Sequence, residues 1–257
     1  MTNMTFYPFT CGHWISDKGT MDGVSWGERY RSPNPMFAFR HPKGVVLLDT
    51  GVSSRGLDDP VGWWGSFVAN IGMEITPEDH IVRQLERAGI ERDDVRYVIM
   101  SHLHIDHLGE MSCFPRATFV VRQSELRFAW WPHQSMRAAY PFNDLKLIRD
   151  LRYLELPDGV DFDLFGDSSL VCIHTPGHTP GHQSLLVRLP DREQPILLCQ
   201  DACYLRFNLA GNPYSVNLMW NVEAWFASLA RIRHYERLGC EIWTGHDLDD
   251  WKKHLAR

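Results

Sequence analysis

The sequence predicts an α+β protein in which β-sheets are covered by helices, an αββα layering. Three observations carry that expectation. Of the 257 residues, 44% are hydrophobic and 23% charged, the balance of a globular chain long enough to bury a substantial core. Strand-like runs arrive in succession with helical segments between them, as in sheets packed under helices. No fixed-period repeat and no Pro/Gly/Ser-rich linker divides the chain, so residues 1–257 read as one domain.

The elements follow in order. Met36–His41 and Gly44–Asp49 are short apolar runs bounded by Pro and Gly, and read as strands. Gly62-Trp63-Trp64-Gly65-Ser66-Phe67 has neither strand nor helix periodicity. A helix is predicted from Thr76 to Gly89, with Thr76 as N-cap, Pro77 in the first turn, Glu78 and Asp79 behind it and Gly89 as the stop. Val95–Met100 is a buried strand that runs directly into Ser101-His102-Leu103-His104-Ile105-Asp106-His107. Ala117–Arg122, Leu170–Thr175, Gln183–Leu189 and Pro195–Gln200 are further strands, rich in β-branched and apolar residues. A second aromatic cluster, Phe128-Ala129-Trp130-Trp131, ends a short helical stretch. Asn221 caps a helix with apolar face Val222, Trp225, Phe226, Leu229, Ile232 and Tyr235, closing at Gly239. Glu241–Trp243 is a last strand that delivers Thr244-Gly245-His246.

Charge and targeting exclude several classes. Against 26 Lys and Arg stand 32 Asp and Glu, a net charge of −6, which disfavours a nucleic-acid partner. The amino-terminal residues have neither the basic nor the apolar region of a signal peptide, and no apolar run is long enough for a bilayer span. The 6 Cys lack CxxC pairing, as in reduced cytosolic thiols. A cytoplasmic protein without membrane contact is expected, and Cys199, at the end of an apolar run, reads as core.

The outlying number is 13 His, because histidine is both the commonest metal ligand and the usual neutral-pH acid or base. His102, His104, Asp106 and His107 fall within six residues just past a buried strand. Alternate residues of an extended turn face one way, so His102 and His104 can share one cation while Asp106 and His107 face a second. Imidazole and carboxylate donors without thiolates suit a catalytic rather than a structural site, with zinc the first expectation and iron, cobalt and manganese also compatible. Further single candidates stand at later strand ends: His178, Asp201 and His246.

The HxHxDH run and the order of the separated ligands resemble the metallo-β-lactamase superfamily over about Gly44 to His246. That resemblance implies two mixed β-sheets packed together under helices. It implies a first metal on His102, His104 and His178, a second on Asp106, His107 and His246, and Asp201 as the bridge. Asp49, in Leu47-Leu48-Asp49-Thr50-Gly51, matches the aspartate that orients a ligand histidine. Within the superfamily, Thr175-Pro176-Gly177-His178-Thr179-Pro180-Gly181-His182 and Asp201-Ala202-Cys203-Tyr204 are similar to the N-acyl homoserine lactonases. His182 reads as a brace for its loop.

For a lactonase of this kind the expected chemistry is hydroxide attack on the lactone carbonyl at a dinuclear centre. Tyr204 would stabilise the oxyanion and Asp201 would return a proton to the leaving alkoxide, so Asp106, Asp201 and Tyr204 are the expected catalytic residues. The two aromatic clusters are candidates for an acyl pocket, a dimer contact or core. A monomer or homodimer acting on a small lactone is expected. The alternatives are another lactone, such as 4-pyridoxolactone, or a thioester; a glutathione thioester calls for Lys or Arg, which Gly211–Asn221 lacks.

Overall fold

Val46 and Leu48 lie on one face of their strand and Leu47 on the other, and all three are fully buried. A strand that is apolar on both faces must lie between two layers, and the architecture follows from that requirement. The computed structural model describes residues 3–211 and 214–256. Among these the strands are, in chain order, β1 (Thr5–Asp17), β2 (Arg29–His41), β3 (Gly44–Leu48), β4 (Gly72–Glu74), β5 (Val95–Ile99), β6 (Thr118–Arg122), β7 (Arg152–Leu156), β8 (Phe162–Asp163), β9 (Leu170–His174), β10 (Gln183–Val187), β11 (Ile196–Leu198) and β12 (Glu241–Trp243).

They form two mixed sheets. The first has 7 strands in the order β4-β1-β2-β3-β5-β6-β7, and the second has 5 in the order β12-β11-β10-β9-β8. In the first, β3, β5, β6 and β7 run parallel; in the second, β11 and β12 do. Phe37, Phe39, Val46, Leu48, Ile99 and Val120 of the first sheet meet Leu170, Cys172, Leu185, Val187 and Leu198 of the second in a central core. The outer face of the first sheet, with Leu47, Val98 and Phe119, is covered by Ile81 and Leu85 of the helix Ile81–Arg87 and by Leu145 and Ile148 of the helix Phe142–Ile148. The outer face of the second, with Ile173, Leu186, Leu197 and Ile242, is covered by Trp225, Leu229 and Ile232 of the helix Val222–Arg237. The predicted αββα layering is thus observed, and no helix of the described residues is long and apolar enough to cross a membrane.

Local signals held where side chains satisfy backbone. Asn221 caps its helix by accepting from Ala224 N at 2.9 Å. The helix expected over Thr76–Gly89 is instead two pieces. Thr76 and Asp79 form a capping box around a single 3-10 turn, Pro77–Asp79, and extended backbone at the buried His80 restarts the chain as the helix Ile81–Arg87. The tryptophan-rich segment, which has no periodicity, contains a short helix, Pro60–Trp64, capped by Asp59 and tied down when Trp63 Nε1 and Trp64 Nε1 donate to Asp144 at 2.8 and 2.9 Å.

Candidate metal centre

The parallel strands β3 and β5 end in Asp49 and in the 101–107 loop, while β9, β11 and β12 lead to His178, Asp201 and His246. All these ends open on one edge of the sandwich, where a rigid scaffold holds irregular backbone. Close packing fixes the loops. Gly177, at φ 136°, lies against the start of the helix Val222–Arg237, where an added Cβ would stand 2.3 Å from the Trp225 backbone. Asn221 N and Trp220 N donate to the carbonyls of Gly177 and His178, each at 3.0 Å.

The donor atoms converge as two overlapping sets. His102, His104 and His178 form one; Asp106, His107 and His246 form another; His102, His107 and Asp201 link them. His178 Nε2 is 3.2 Å from His102 Nε2 and 2.8 Å from His104 Nδ1. Asp201 divides its oxygens: Oδ2 lies 3.3 Å from His178 Nε2, and Oδ1 lies 3.3 Å from His107 Nε2 and 3.2 Å from His246 Nε2. Asp106 Oδ1 and Oδ2 stand 3.6 and 3.9 Å from His107 and His246 Nε2, with Asp106 the most accessible donor at 15% side-chain exposure.

Outer hydrogen bonds settle which nitrogen of each ring faces inward. His107 Nδ1 donates to Asp49 Oδ2 at 2.8 Å, His246 Nδ1 to the Pro33 carbonyl at 2.8 Å, and His178 Nδ1 to the Tyr204 hydroxyl oxygen at 2.9 Å. His102 Nδ1 meets Ser101 Oγ at 3.0 Å, while that hydroxyl donates to Asp49 Oδ2 at 2.7 Å. In all four rings Nδ1 is tied outward and Nε2 points inward, the arrangement that fixes ring direction for metal binding. His104 is turned over, with Nδ1 inward and its buried Nε2 without a protein partner.

His178 Nε2 therefore faces the inner nitrogens of His102 and His104 with all three rings held neutral, and beside them His107 Nε2 and Asp201 Oδ1 have no hydrogen-bond partner. Such an arrangement is repulsive until cations lie among the donors. These residues fit a divalent-metal site. The electrostatics divide it. Burial, joined by neighbouring imidazoles, holds His102 and His104 well below the usual histidine range and His178 at about 4. Burial works the same way on His107 and His246, but the carboxylates of Asp106 and Asp201, with Asp49 at His107, outweigh it and raise both. Burial pushes the Tyr204 hydroxyl well up, with Asp201 and Asp106 adding to it, so it stays protonated.

All seven predicted donors and Tyr204 thus come together. Sequence reasoning missed two further residues. Glu125, fully buried on the helix Gln123–Trp130, accepts from Leu103 N, Tyr140 Oη, Thr179 Oγ1 and Gly181 N at 2.9, 2.9, 2.6 and 3.2 Å, tying the 101–107 loop to the 175–182 loop. Gln200, fully buried, sits at φ 46° immediately before Asp201 and donates to Asp49 Oδ2, while Asp49 is itself at φ 60°. Two left-handed non-glycine residues joined by a hydrogen bond at a site mark strain kept for function. A Gln before a site aspartate was the only signal available. His182 braces its loop as expected, its Nδ1 2.9 Å from Thr175 Oγ1.

Beside the donors lies a cavity of about 340 Å³, walled by His104, Asp106, Asp201, Tyr204 and His246 on one side and by Trp14, Met21, Phe67, Ile71, Ala139 and Leu218 on others. That size suits a small organic molecule. Of the two aromatic clusters only Phe67 reaches it; Trp64 is core and Trp131 is 82% exposed. Of the stretch Gly211–Asn221, Asn217 and Leu218 line the cavity, and residues 212 and 213 lie outside those described. No Lys or Arg borders the cavity among the described residues.

The profile of the Metallo-beta-lactamase superfamily matches residues 30–191, and the chain belongs to that superfamily. It is 37% identical over 229 residues to the N-acyl homoserine lactonase AttM of Azorhizobium caulinodans, covering 88% of this chain and 86% of that protein. It is 28% identical over 257 residues to the N-acyl homoserine lactonase AiiA of Bacillus thuringiensis subsp. kurstaki, covering 98% and 96%. A solved N-acyl homoserine lactone hydrolase with the product N-hexanoyl-L-homoserine at its catalytic metal centre superposes with a TM-score of 0.84 at 27% identity, over 98% of this chain and 97% of that one.

Proposed function

We propose that this chain is a dinuclear metal-dependent lactonase that opens the ring of N-acyl homoserine lactones, acting as a single domain in the cytoplasm. The observation that carries the reading is the Asp201 carboxylate, whose two oxygens face separate imidazole sets beside a cavity that no Lys or Arg of the described residues lines. His102, His104 and His178 would hold one divalent cation, Asp106, His107 and His246 the other, and Asp201 both, with zinc the first expectation for this donor set. When bound, such a pair supplies Lewis acidity at the carbonyl and lowers the pKa of water toward neutrality.

The chain's own residues supply the rest. Because His178 Nδ1–H already donates to the Tyr204 oxygen, the Tyr204 proton is free for a second acceptor. It would stabilise the carbonyl oxygen as that oxygen gains charge. Asp201 would return a proton to the alkoxide released on ring opening, and Asp106 would keep His107 and His246 in register beside it. Likeness to two named lactonases and to a product-bound hydrolase supports the substrate class. The absence of Lys and Arg from the cavity wall among the described residues disfavours an anionic thioester such as that of glutathione.

A panel of N-acyl homoserine lactones, other lactones, simple esters and thioesters, run on one metal-loaded sample, tests the reading. Fastest opening of the acyl homoserine lactones is expected. Intact acyl homoserine lactones beside rapid cleavage of another ester would overturn it.

A further inference from the structure

The loops that carry Tyr204 and His246 are joined along their backbones. Gly245 N donates to the Cys203 carbonyl at 2.9 Å and His246 N to the Tyr204 carbonyl at 2.8 Å. The Tyr204 and His246 rings lie 5.3 Å apart, and the Tyr204 hydroxyl accepts from His178. One short ladder thus links the expected oxyanion donor to ligands from both imidazole sets. Two backbone bonds in irregular chain fix little by themselves, because each is modest in net terms.

Side chains bracket that ladder. Thr244 precedes it on one segment, Arg206 follows it on the other, and both reach Asp250 of the C-terminal helix Leu248–Leu255. Asp250 Oδ2 accepts from Thr244 Oγ1 at 2.9 Å, and Arg206 Nη2 lies 2.9 Å from both Asp250 oxygens. Arg206 N donates to Asp247 Oδ2, also at 2.9 Å, which ties the same helix start to the residue two past Tyr204. Asp250 is only 6% exposed in its side chain. Burial works to raise its pKa, but His254 and Arg206 outweigh burial and hold the carboxyl well below the usual carboxylate range, so it stays charged. Apolar packing already fastens the helix, since Trp251 meets Phe37 and Trp243 with ring centroids 5.9 Å away in each case. A buried ion pair is weak evidence for stability, and its directional bonds serve register instead.

We infer that Asp250, acting through Thr244 and Arg206, is a positioning residue that holds the Tyr204 hydroxyl and His246 in one register, so that the oxyanion donor and a ligand of the second cation are set together. Its kinetic part rests on the lactonase reading above. Residues that orient a metal ligand from outside contribute about 10–100-fold to affinity or activity, and Asp250, which acts on His246 through the backbone, belongs at the low end of that range.

The experiment uses the metal-loaded wild type, Thr244→Val, Asp250→Asn, the double variant and Glu236→Gln. Thr244→Val keeps the side-chain shape and deletes the hydroxyl bond. Glu236→Gln is the control, because it changes only the solvent-exposed partner of Arg206, at 3.2 Å, where an ion pair counts for little. On one acyl homoserine lactone, kcat should fall about tenfold in Asp250→Asn and by less in Thr244→Val, with KM within about twofold. In graded chelator both variants should drop to one cation per chain where the wild type still holds two. The double variant should lose no more kcat than Asp250→Asn alone, as expected of two groups acting through one bond, and Glu236→Gln should match the wild type throughout. Variants that unfold more readily yet keep wild-type kcat and cation retention would overturn the inference by leaving Asp250 a purely structural part. Equal loss of both cations, or a raised KM at constant kcat, would overturn it too. Should Asp250→Asn fail to fold, Thr244→Val decides alone. A wild type that opens no lactone would remove the lactonase reading instead, and cation retention in Thr244→Val would then decide whether Asp250 positions His246.

Discussion

Replacing Asp49 by Asn tests whether the second cation depends on the bonds that orient His107. Asp49 Oδ2 accepts from Ser101 Oγ at 2.7 Å, from His107 Nδ1 at 2.8 Å and from Gln200 Nε2, while Oδ1 accepts from Ser101 N at 2.7 Å. An amide keeps one acceptor. Its least costly orientation turns that oxygen to the three Oδ2 donors, which weakens each bond by about 1 kcal/mol as a neutral acceptor replaces a charged one, and leaves Ser101 N unpaired at about 1–3 kcal/mol more. The sum is a loss of roughly 4–6 kcal/mol in the metal-loaded protein. Because His107 is no longer held by a carboxylate, affinity for the cation it binds should fall about 10–100-fold. Metal content after dialysis against graded chelator, together with denaturant unfolding, reads both quantities. If the variant keeps its second cation like the wild type and unfolds within about 1 kcal/mol of it, the reasoning is refuted.

Three further outcomes are expected. Gln200→Gly relieves a left-handed backbone by about 1–2 kcal/mol but removes bonds to the Asp49 carboxylate and to the Pro35 carbonyl, so stability should fall by roughly 1–3 kcal/mol along with second-cation affinity; a gain in stability with unchanged metal retention would contradict this. Tyr204→Phe should lower kcat about 10²–10³-fold with metal content retained, measured by steady-state kinetics on one lactone; an unchanged kcat would remove Tyr204 from the reaction. Acidification should strip the two cations in order. His102, His104 and His178 are depressed and stay unprotonated as pH falls, whereas the raised His107 and His246 take up protons that a cation must displace. In the metal-free chain the raised pair stabilises the fold below a pH of about 6.5 and loses that contribution as pH rises through the raised values. Metal analysis between pH 5 and pH 8 should show the second site emptying first, and simultaneous loss would contradict the division.

What was legible in the sequence was the part written in local code. His102, His104, Asp106 and His107 sit in one turn, and His178, Asp201 and His246 each follow an apolar strand, so residue type and position sufficed for all seven. The sandwich was legible for the same reason, since strands buried on both faces read as continuous apolar runs. What stayed hidden depends on partners distant in the chain. Trp63 and Trp64 are fixed by Asp144, some eighty residues on, and that contact rather than any periodicity makes their segment helical and turns Trp64 into core. Glu125 meets its four donors from three separate segments, and nothing near it in sequence announces them. The first strand, Thr5–Asp17, is half-buried and irregular where Thr10 and His13 slip in register against β2, so it shows no clean alternation. His80 interrupts the predicted helix because its own burial, not its helix propensity, decides the backbone there.

The central claim is that Asp201 joins two cations into one hydrolytic centre. It is tested most directly by counting metal ions per chain in the wild type and in Asp201→Ala while following ring opening of an N-acyl homoserine lactone on the same samples. Two divalent cations per chain with ring opening in the wild type, and loss of both metal and activity in Asp201→Ala, is the predicted result. Full activity in Asp201→Ala, or a wild type that opens the lactone with a single cation, would contradict it.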